Sequence, residues 1–403
     1  MNSSEARPLR SLAWLREWLG LERNILVLLA SILLVGLGEE LWLPFVPKYL
    51  EGLGAGPWVI AVYGALKDLL DALYQYPGGW LVDRLGRRRG LALFALLASL
   101  GYLLYLVSPG WEGVLAGTIF VMAWSSLTSP AIFAIIGDNL PPARRAIGFG
   151  VQSIWKRIPR AIGPPLGGAL IAYWGLIGGI RASLLFTIAV ALISILVVLR
   201  YYVESTTPPA HRARLAEMWH SMDARLKGLL VADILARWAE GIPKVFIVLY
   251  VIDVLKIEAL QFGWLASLEM LAAMAVYIPI AKLSDRMNRG PFVLLTFAFF
   301  ALFPLALARA SGLFWVAGAF VIAGLREIGE PSRKALIVDL AQETARGRAV
   351  GVYYLVRGLA VFPAPLLGGW LWALGPQWPF YTAFSAGMAG LLAYAVSGAS
   401  GKN

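Results

Sequence analysis

The sequence predicts an all-α polytopic membrane protein of twelve transmembrane helices, built as two parallel six-helix repeats. Three observations carry that prediction. The chain has 403 residues, of which 59% are hydrophobic and only 15% charged, whereas soluble domains are about 25% charged. When twelve spans are drawn, the loops between them sort by charge into a basic set and a nearly neutral set. The two halves of the chain also match at a constant offset.

Taken in order, the apolar blocks lie near 25–47, 57–82, 90–108, 113–136, 146–173 and 180–201. A second set follows near 228–254, 260–281, 291–309, 313–338, 347–373 and 377–397. About 20 helical residues cross the hydrocarbon core. Blocks such as 180–201 and 290–308 have no polar face, unlike the helices of a soluble bundle. Residues 1–23 carry Arg7, Arg10, Arg16 and Arg23 among Leu and Trp and predict a cytoplasmic amphipathic lead-in. Residues 24–201 then form an N-terminal six-helix bundle. The hydrophilic stretch 202–227, with Thr206-Thr207-Pro208-Pro209, is a cytoplasmic linker. Residues 228–398 form the C-terminal bundle, and 399–403 a tail.

Alternate loops hold Arg84, Arg87, Arg88, Arg89, Arg144, Arg145, Arg212, Arg214, Arg225, Lys227, Lys282, Arg286, Arg289, Arg346 and Arg348. The opposite loops hold Lys48, Arg181, Lys256 and Arg309. The positive-inside rule places the first set and both termini in the cytoplasm of a cell whose plasma (inner) membrane the chain spans. The net charge of +11 follows from these loops. No nucleic-acid partner is expected, because no basic motif with interleaved aromatics is present. Cysteine is absent, and the histidines are His211 and His220, both in the linker. Intramembrane protease chemistry, which needs H-E-x-x-H or a membrane-embedded Ser and His, is therefore not expected, and neither is a metal or other cofactor.

The repeat offset is 201–202 residues. Leu81-Val82-Asp83-Arg84 matches Leu283-Ser284-Asp285-Arg286. Pro130 and Asp138 match Pro331 and Asp339. Pro164-Pro165-Leu166-Gly167-Gly168 matches Ala364-Pro365-Leu366-Leu367-Gly368-Gly369. Glu39 matches Glu240, and Lys156 matches Arg357. Six spans per copy keep both copies in one orientation, so the repeats are parallel, with a substrate site expected between them.

Intramembrane charges are costly and mark cavities or partners. Spans 3, 6, 9 and 12 have almost none, which predicts that they face lipid. The other spans carry Glu39 and Glu40; Lys67, Asp68 and Asp71; Lys156, Arg157 and Arg160; Asp233, Arg237, Glu240 and Lys244; Glu269; Arg326, Glu327, Glu330, Arg333 and Lys334; and Arg357. Several stand at helical spacing for pairing: Arg237 with Glu240, Glu240 with Lys244, Arg326 with Glu330, and Glu330 with Lys334. The span 5 cations have no acid on their own helix. They need acids from neighbouring helices, such as Glu39, Glu40 or Asp68, or an anionic group on a substrate. Asp68 and Asp71 are a like-charged pair, of which one would hold a proton if both were buried, unless Lys67 or a span 5 cation intervened. The acids Glu39, Glu40, Asp68, Asp71, Glu240, Glu269, Glu327 and Glu330 are candidates for proton coupling. Lys156, Arg157, Arg160, Arg237, Lys244, Arg326, Arg333 and Arg357 are candidate substrate contacts or counter-ions. Trp124 and Trp155, with Trp42, Tyr63 and Trp238, are candidate apolar walls or interfacial anchors.

Between spans 2 and 3 stands Gly79-Trp80-Leu81-Val82-Asp83-Arg84-Leu85-Gly86-Arg87-Arg88-Arg89. Its glycines suit a tight turn between close helices. This run resembles the G-x-L-x-D-R-x-G-R-R loop of the major facilitator superfamily. The resemblance implies a conformational latch made by Gly79, Asp83, Arg84, Gly86, Arg87 and Arg88 with Asp138. Its second copy would be Asp285, Arg286 and Asp339, where both glycines are lost. In span 5, Gly163-Pro164-Pro165-Leu166-Gly167-Gly168 resembles the G-P-x-x-G-G part of the motif of that superfamily's antiporters, or otherwise a small-residue packing face. Pro159 replaces the upstream glycine of that motif. Span 4 reads Ala123-Trp124-Ser125-Ser126-Leu127-Thr128 and lacks the R-x-x-Q-G of the drug:proton exporters, which the chain otherwise most resembles. The resemblance implies alternating access driven by a proton gradient, with efflux of a small molecule by a monomer in the lipid bilayer. Proton-coupled uptake of an organic anion or sugar-like solute, and a non-transporting sensor on the same fold, remain alternatives. The many cavity cations favour a substrate with an anionic or zwitterionic part.

Overall fold

The computed structural model describes residues 23–128, 132, 135–136, 142–204, 224–284, 287–340 and 346–396. Among these the chain forms twelve helical spans and no strand. The first six are α1 (Arg23–Gly52, its middle a 3₁₀ turn at Leu43–Phe45), α2 (Pro57–Leu85), α3 (Arg87–Val107), α4 (Trp111–Leu127), α5 (142–174) and α6 (176–201). The last six are α7 (Ala224–Gly241, continued by Ile247–Leu249), α8 (Ala259–Ser284), α9 (Gly290–Arg309), α10 (Leu313–Leu325 and Glu330–Asp339), α11 (Arg346–Val361 and Ala364–Leu374) and α12 (Trp378–Val396). The fold is all-α with two parallel six-helix repeats.

Length and composition explain the spans. The 21 residues of α3 rise about 31 Å, which matches the hydrocarbon thickness. Helices α3, α6, α9 and α12 expose Leu96, Leu103, Leu185, Phe186, Leu196, Leu294, Leu302 and Leu392. Ile162 and Leu166 of α5 and Leu271 of α8 are exposed as well, so apolar outer faces are shared with helices that also carry cavity charges. The boundary between α5 and α6 differs from the expected loop at 174–179. Helix runs to 174 and resumes at 176, broken only at Gly175 (φ 73°), a conformation that glycine adopts readily. Gly179 then lies directly on the backbone of Ile171, so the two helix ends pack without an intervening loop.

One face of the bundle carries the short loops 53–56, 108–110, 255–258, 310–312 and 375–377 and the break at Gly175. The opposite, arginine-bearing face carries Gly86 and 287–289. Toward the short-loop face the halves touch closely. Gly168 of α5 abuts the Ala259 carbonyl of α8, and Gly263 of α8 abuts the Pro164 carbonyl. Gly64 of α2 abuts Val245 and Pro365, and Gly369 of α11 abuts Ala61. Phe45 and Phe262 meet edge to face, 5.5 Å apart. Small residues let helices approach backbone to backbone where apolar burial provides no drive.

Candidate functional site

Two adjoining cavities lie inside the bundle. The first, of about 300 Å³, is walled by Gly36, Glu39 and Glu40 of α1, Asp71 of α2, Trp124, Ser125 and Thr128 of α4, and Lys156, Pro159 and Arg160 of α5. Residues Ala123–Leu127 form a π-helical turn. Such a turn adds a residue and re-aims side chains. Here Trp124 and Ser125 line the cavity while Ser126 donates to Asp71 at 2.7 Å. Tyr102 of α3 donates to Glu39 at 2.6 Å. Glu39 and Asp71 therefore rest on neutral hydroxyls, and among the described residues neither has a cation within ion-pair distance.

The second cavity, of about 280 Å³, takes walls from both halves: Glu40, Leu43, Pro44 and Pro47 of α1, Tyr63, Gly64, Lys67 and Asp68 of α2, Arg160 of α5, and Lys244 and Val245 from the turn after α7. Arg160 and Glu40, joined at 3.2 Å, border both cavities.

The span 5 cations find acids on other helices, with one exception. Arg160 takes Glu40. Arg157 reaches across the halves to Glu327 at 2.9 Å and lies over the Tyr277 ring. Lys156 lines the first cavity and, among the described residues, has no ion-pair partner. Asp68 pairs with Lys244 at 2.7 Å, so the like-charged couple with Asp71 is relieved by a cation from the other half. Lys48 of α1 bridges Glu51 and Asp253.

Two of the within-helix pairs expected from spacing are absent, and each for a visible reason. Helix α7 stops at Gly241, before Pro243, so Lys244 leaves the register of Glu240 and turns to Asp68. Helix α10 opens into a turn at 326–329, so Arg326 meets Glu269 at 2.7 Å and Glu240 at 4.0 Å instead of Glu330. Arg237 with Glu240 (2.7 Å) and Lys334 with Glu330 (3.3 Å) do form.

The second half holds a buried charge network that joins the candidates Arg237, Glu330, Arg333 and Arg357 to Asp233, which the sequence marks as an intramembrane charge but not as a site candidate. Asp233 has no exposure. It accepts from Arg333, from Arg357 at 3.2 Å and from Tyr353 at 3.0 Å, with Arg237 at 3.9 Å. Arg333 also binds Glu330. The guanidinium groups of Arg237, Arg333 and Arg357 are thus occupied by protein carboxylates. Trp155 lines neither cavity, because its indole donates to the Leu29 carbonyl and packs on α1. Trp42 is likewise in the core, bonded to Thr187 and set against Tyr102 and Tyr105. Trp238 donates to the Ala360 carbonyl.

At the arginine face, Gly86 has φ 83° and a Cβ there would meet the Glu204 carboxylate. That carboxylate accepts from the backbone N–H of Arg87 (2.6 Å) and Arg88 (3.1 Å), capping α3. Arg84 stacks on Trp80, and in the second copy Arg289 pairs with Asp339. Asp138, Asp285 and Arg286 lie outside the described residues, as does the Asp83 side chain. In α5, Gly163 and Gly167 lie on the α1 backbone at Glu40 and Leu41, and Pro164 and Gly168 face α8.

Two parallel helical repeats, with polar groups inside the bundle around one cavity of the first repeat and one that both repeats wall, form the architecture of a membrane transporter. The profile of the Major Facilitator Superfamily matches residues 28–232 and again 229–399, and the chain belongs to that family. It is 22% identical to an uncharacterised MFS-type transporter of Methanocaldococcus jannaschii over 92% of this chain and 94% of that protein. It is 25% identical to the multidrug resistance protein MdtG of Proteus mirabilis, over 87% and 89%. Among solved structures it is similar in fold to a POT family transporter in complex with 5-aminolevulinic acid, with a TM-score of 0.76 at 15% identity over 94% and 97%.

Proposed function

We propose that this protein is a proton-coupled secondary active transporter that exports a small molecule by alternating access, with the arginine face in the cytoplasm. The observation that carries the coupling is the state of Glu39 and Asp71. Each faces or borders the first cavity and is held by a hydroxyl rather than a cation. Each can take up or release a proton without breaking an ion pair, as a proton carrier must. Acids gripped by arginines, such as Asp233 and Glu330, cannot. Close glycine contacts and the pairs Lys48 with Asp253 and Lys244 with Asp68 join the halves at or toward the short-loop face. This is the arrangement of a transporter closed to the exterior. The export direction is supported by the α5 glycine–proline segment and by similarity to MdtG.

The test uses proteoliposomes of the full chain and three probes: ethidium, norfloxacin and benzoate. An imposed pH gradient should accelerate the flux of at least one of them well above the gradient-free rate. Flux that ignores the gradient would sink proton coupling. Glu39→Gln and Asp71→Asn should lose gradient-driven accumulation and keep substrate counterflow.

A further inference from the structure

We propose that the second cavity, between the two halves, binds the carboxylate of a small amphipathic organic anion, with Lys67 as its charge partner. The charged groups on its walls are Glu40, Asp68, Lys67, Arg160 and Lys244. Arg160 is neutralised by Glu40 at 3.2 Å and Lys244 by Asp68 at 2.7 Å. Lys67 is left over. Among the described residues no carboxylate stands within ion-pair distance of it, and the wall carries one net positive charge. An unpaired ammonium inside a membrane protein is costly and, where it faces a cavity, marks a substrate or ion path.

The remaining wall is apolar. Leu43, Pro44, Pro47, Tyr63 and Val245 line it, and Gly64 lets Val245 of the other half pack directly against α2. A volume of about 280 Å³ is at the lower end of ligand cavities, which suits a single ring bearing one carboxylate. The neighbouring cavity has the opposite balance. Beyond the Glu40–Arg160 pair it holds Glu39 and Asp71 against Lys156, an excess of one acid, so an anion is drawn to the second cavity. There it touches residues of both halves. The proposal rests on the transport reading only in treating this cavity as part of the path.

Benzoate, benzylammonium and benzyl alcohol share one ring and differ in charge. Their binding to the purified full-length protein is measured by titration calorimetry at millimolar concentrations. Benzoate should bind about tenfold or more tightly than the other two. Lys67→Met should abolish that preference, Lys67→Arg should retain it, and Lys256→Met, which removes a loop charge, should leave it unchanged. Folding of each variant is checked by its melting temperature. No benzoate binding by folded protein, equal binding of the three probes, or wild-type benzoate binding by Lys67→Met would overturn the assignment. Norfloxacin flux in the same preparation separates the two claims. Gradient-driven flux without benzoate binding removes the anion site and leaves the transporter. Lys67-dependent benzoate binding with no gradient-driven flux of ethidium, norfloxacin or benzoate supports the site and counts against the transport reading.

Discussion

The buried network around Asp233 gives the sharpest stability prediction. Asp233 has no exposure and Arg333 only 1%. Arg333, Arg357 and Tyr353 converge on one carboxylate from α10 and α11. Asp233→Asn keeps the shape and removes the charge. It leaves Arg333 buried with Glu330 as its one remaining acid, and it leaves Arg357 without its carboxylate. Removing one partner of a buried pair costs about 3–5 kcal/mol. For a cooperative unit of the size of this half, each kcal/mol lowers the midpoint by about 2–4 °C. The expected fall is therefore about 6–20 °C, measured by thermal unfolding in detergent. Removing the cation as well, in Asp233→Asn/Arg333→Met, should recover a large part of the loss, because the uncompensated charge is gone. An Asp233→Asn midpoint within a degree or two of wild type would refute the reasoning. So would a double variant that is worse by the sum of the singles.

Other expectations follow from particular contacts. Gly167→Ala should destabilise by about 1–3 kcal/mol through overpacking, because its Cβ would fall on the Leu41 carbonyl, whereas Gly318→Ala, which meets nothing within 4 Å, should be neutral in the same melting assay. Lys244→Met or Asp68→Asn removes a half-exposed tie between the halves worth about 1 kcal/mol. Opening toward the short-loop face should rise about fivefold, read as faster alkylation of a single Val245→Cys in this cysteine-free chain by an impermeant maleimide added from that side. An unchanged rate would show that the pair does not hold the closed state. Glu204→Gln should weaken the cap on α3 by about 1 kcal/mol, and amide exchange at Arg87 and Arg88 should quicken; protection equal to wild type would argue against the cap.

Much of this architecture was legible in the sequence, and the limits have physical causes. Apolar run length and loop charge marked all twelve spans, because hydrocarbon thickness and the positive-inside bias act on local sequence. The charge-free spans at every third position carry exposed leucines, but so do α5 and α8, so absence of charge does not by itself single out the outer helices. Pairing was less legible. Glu240–Lys244 and Arg326–Glu330 pair only on an unbroken helix, and Gly241-Ile242-Pro243 and Gly329-Glu330-Pro331 carry the residues that interrupt helices. The ties of Lys48 to Asp253, Asp68 to Lys244 and Arg157 to Glu327 join residues 170 to 205 positions apart, and no local pattern reports such contacts. The repeat also misleads at the site. Lys156 and Arg357 occupy matching positions, but Arg357 is spent on Asp233, while Lys156 faces an open cavity.

Two helical halves, tied toward the short-loop face in this conformation, are proposed to move as bodies about the cavity between them. That motion is tested most directly by double electron–electron resonance between spin labels at Glu112 and Ser311, exposed positions near that face on opposite halves. The account predicts two separations whose populations shift with pH and with Asp68→Asn. One separation, the same at every pH and in the variant, would contradict it.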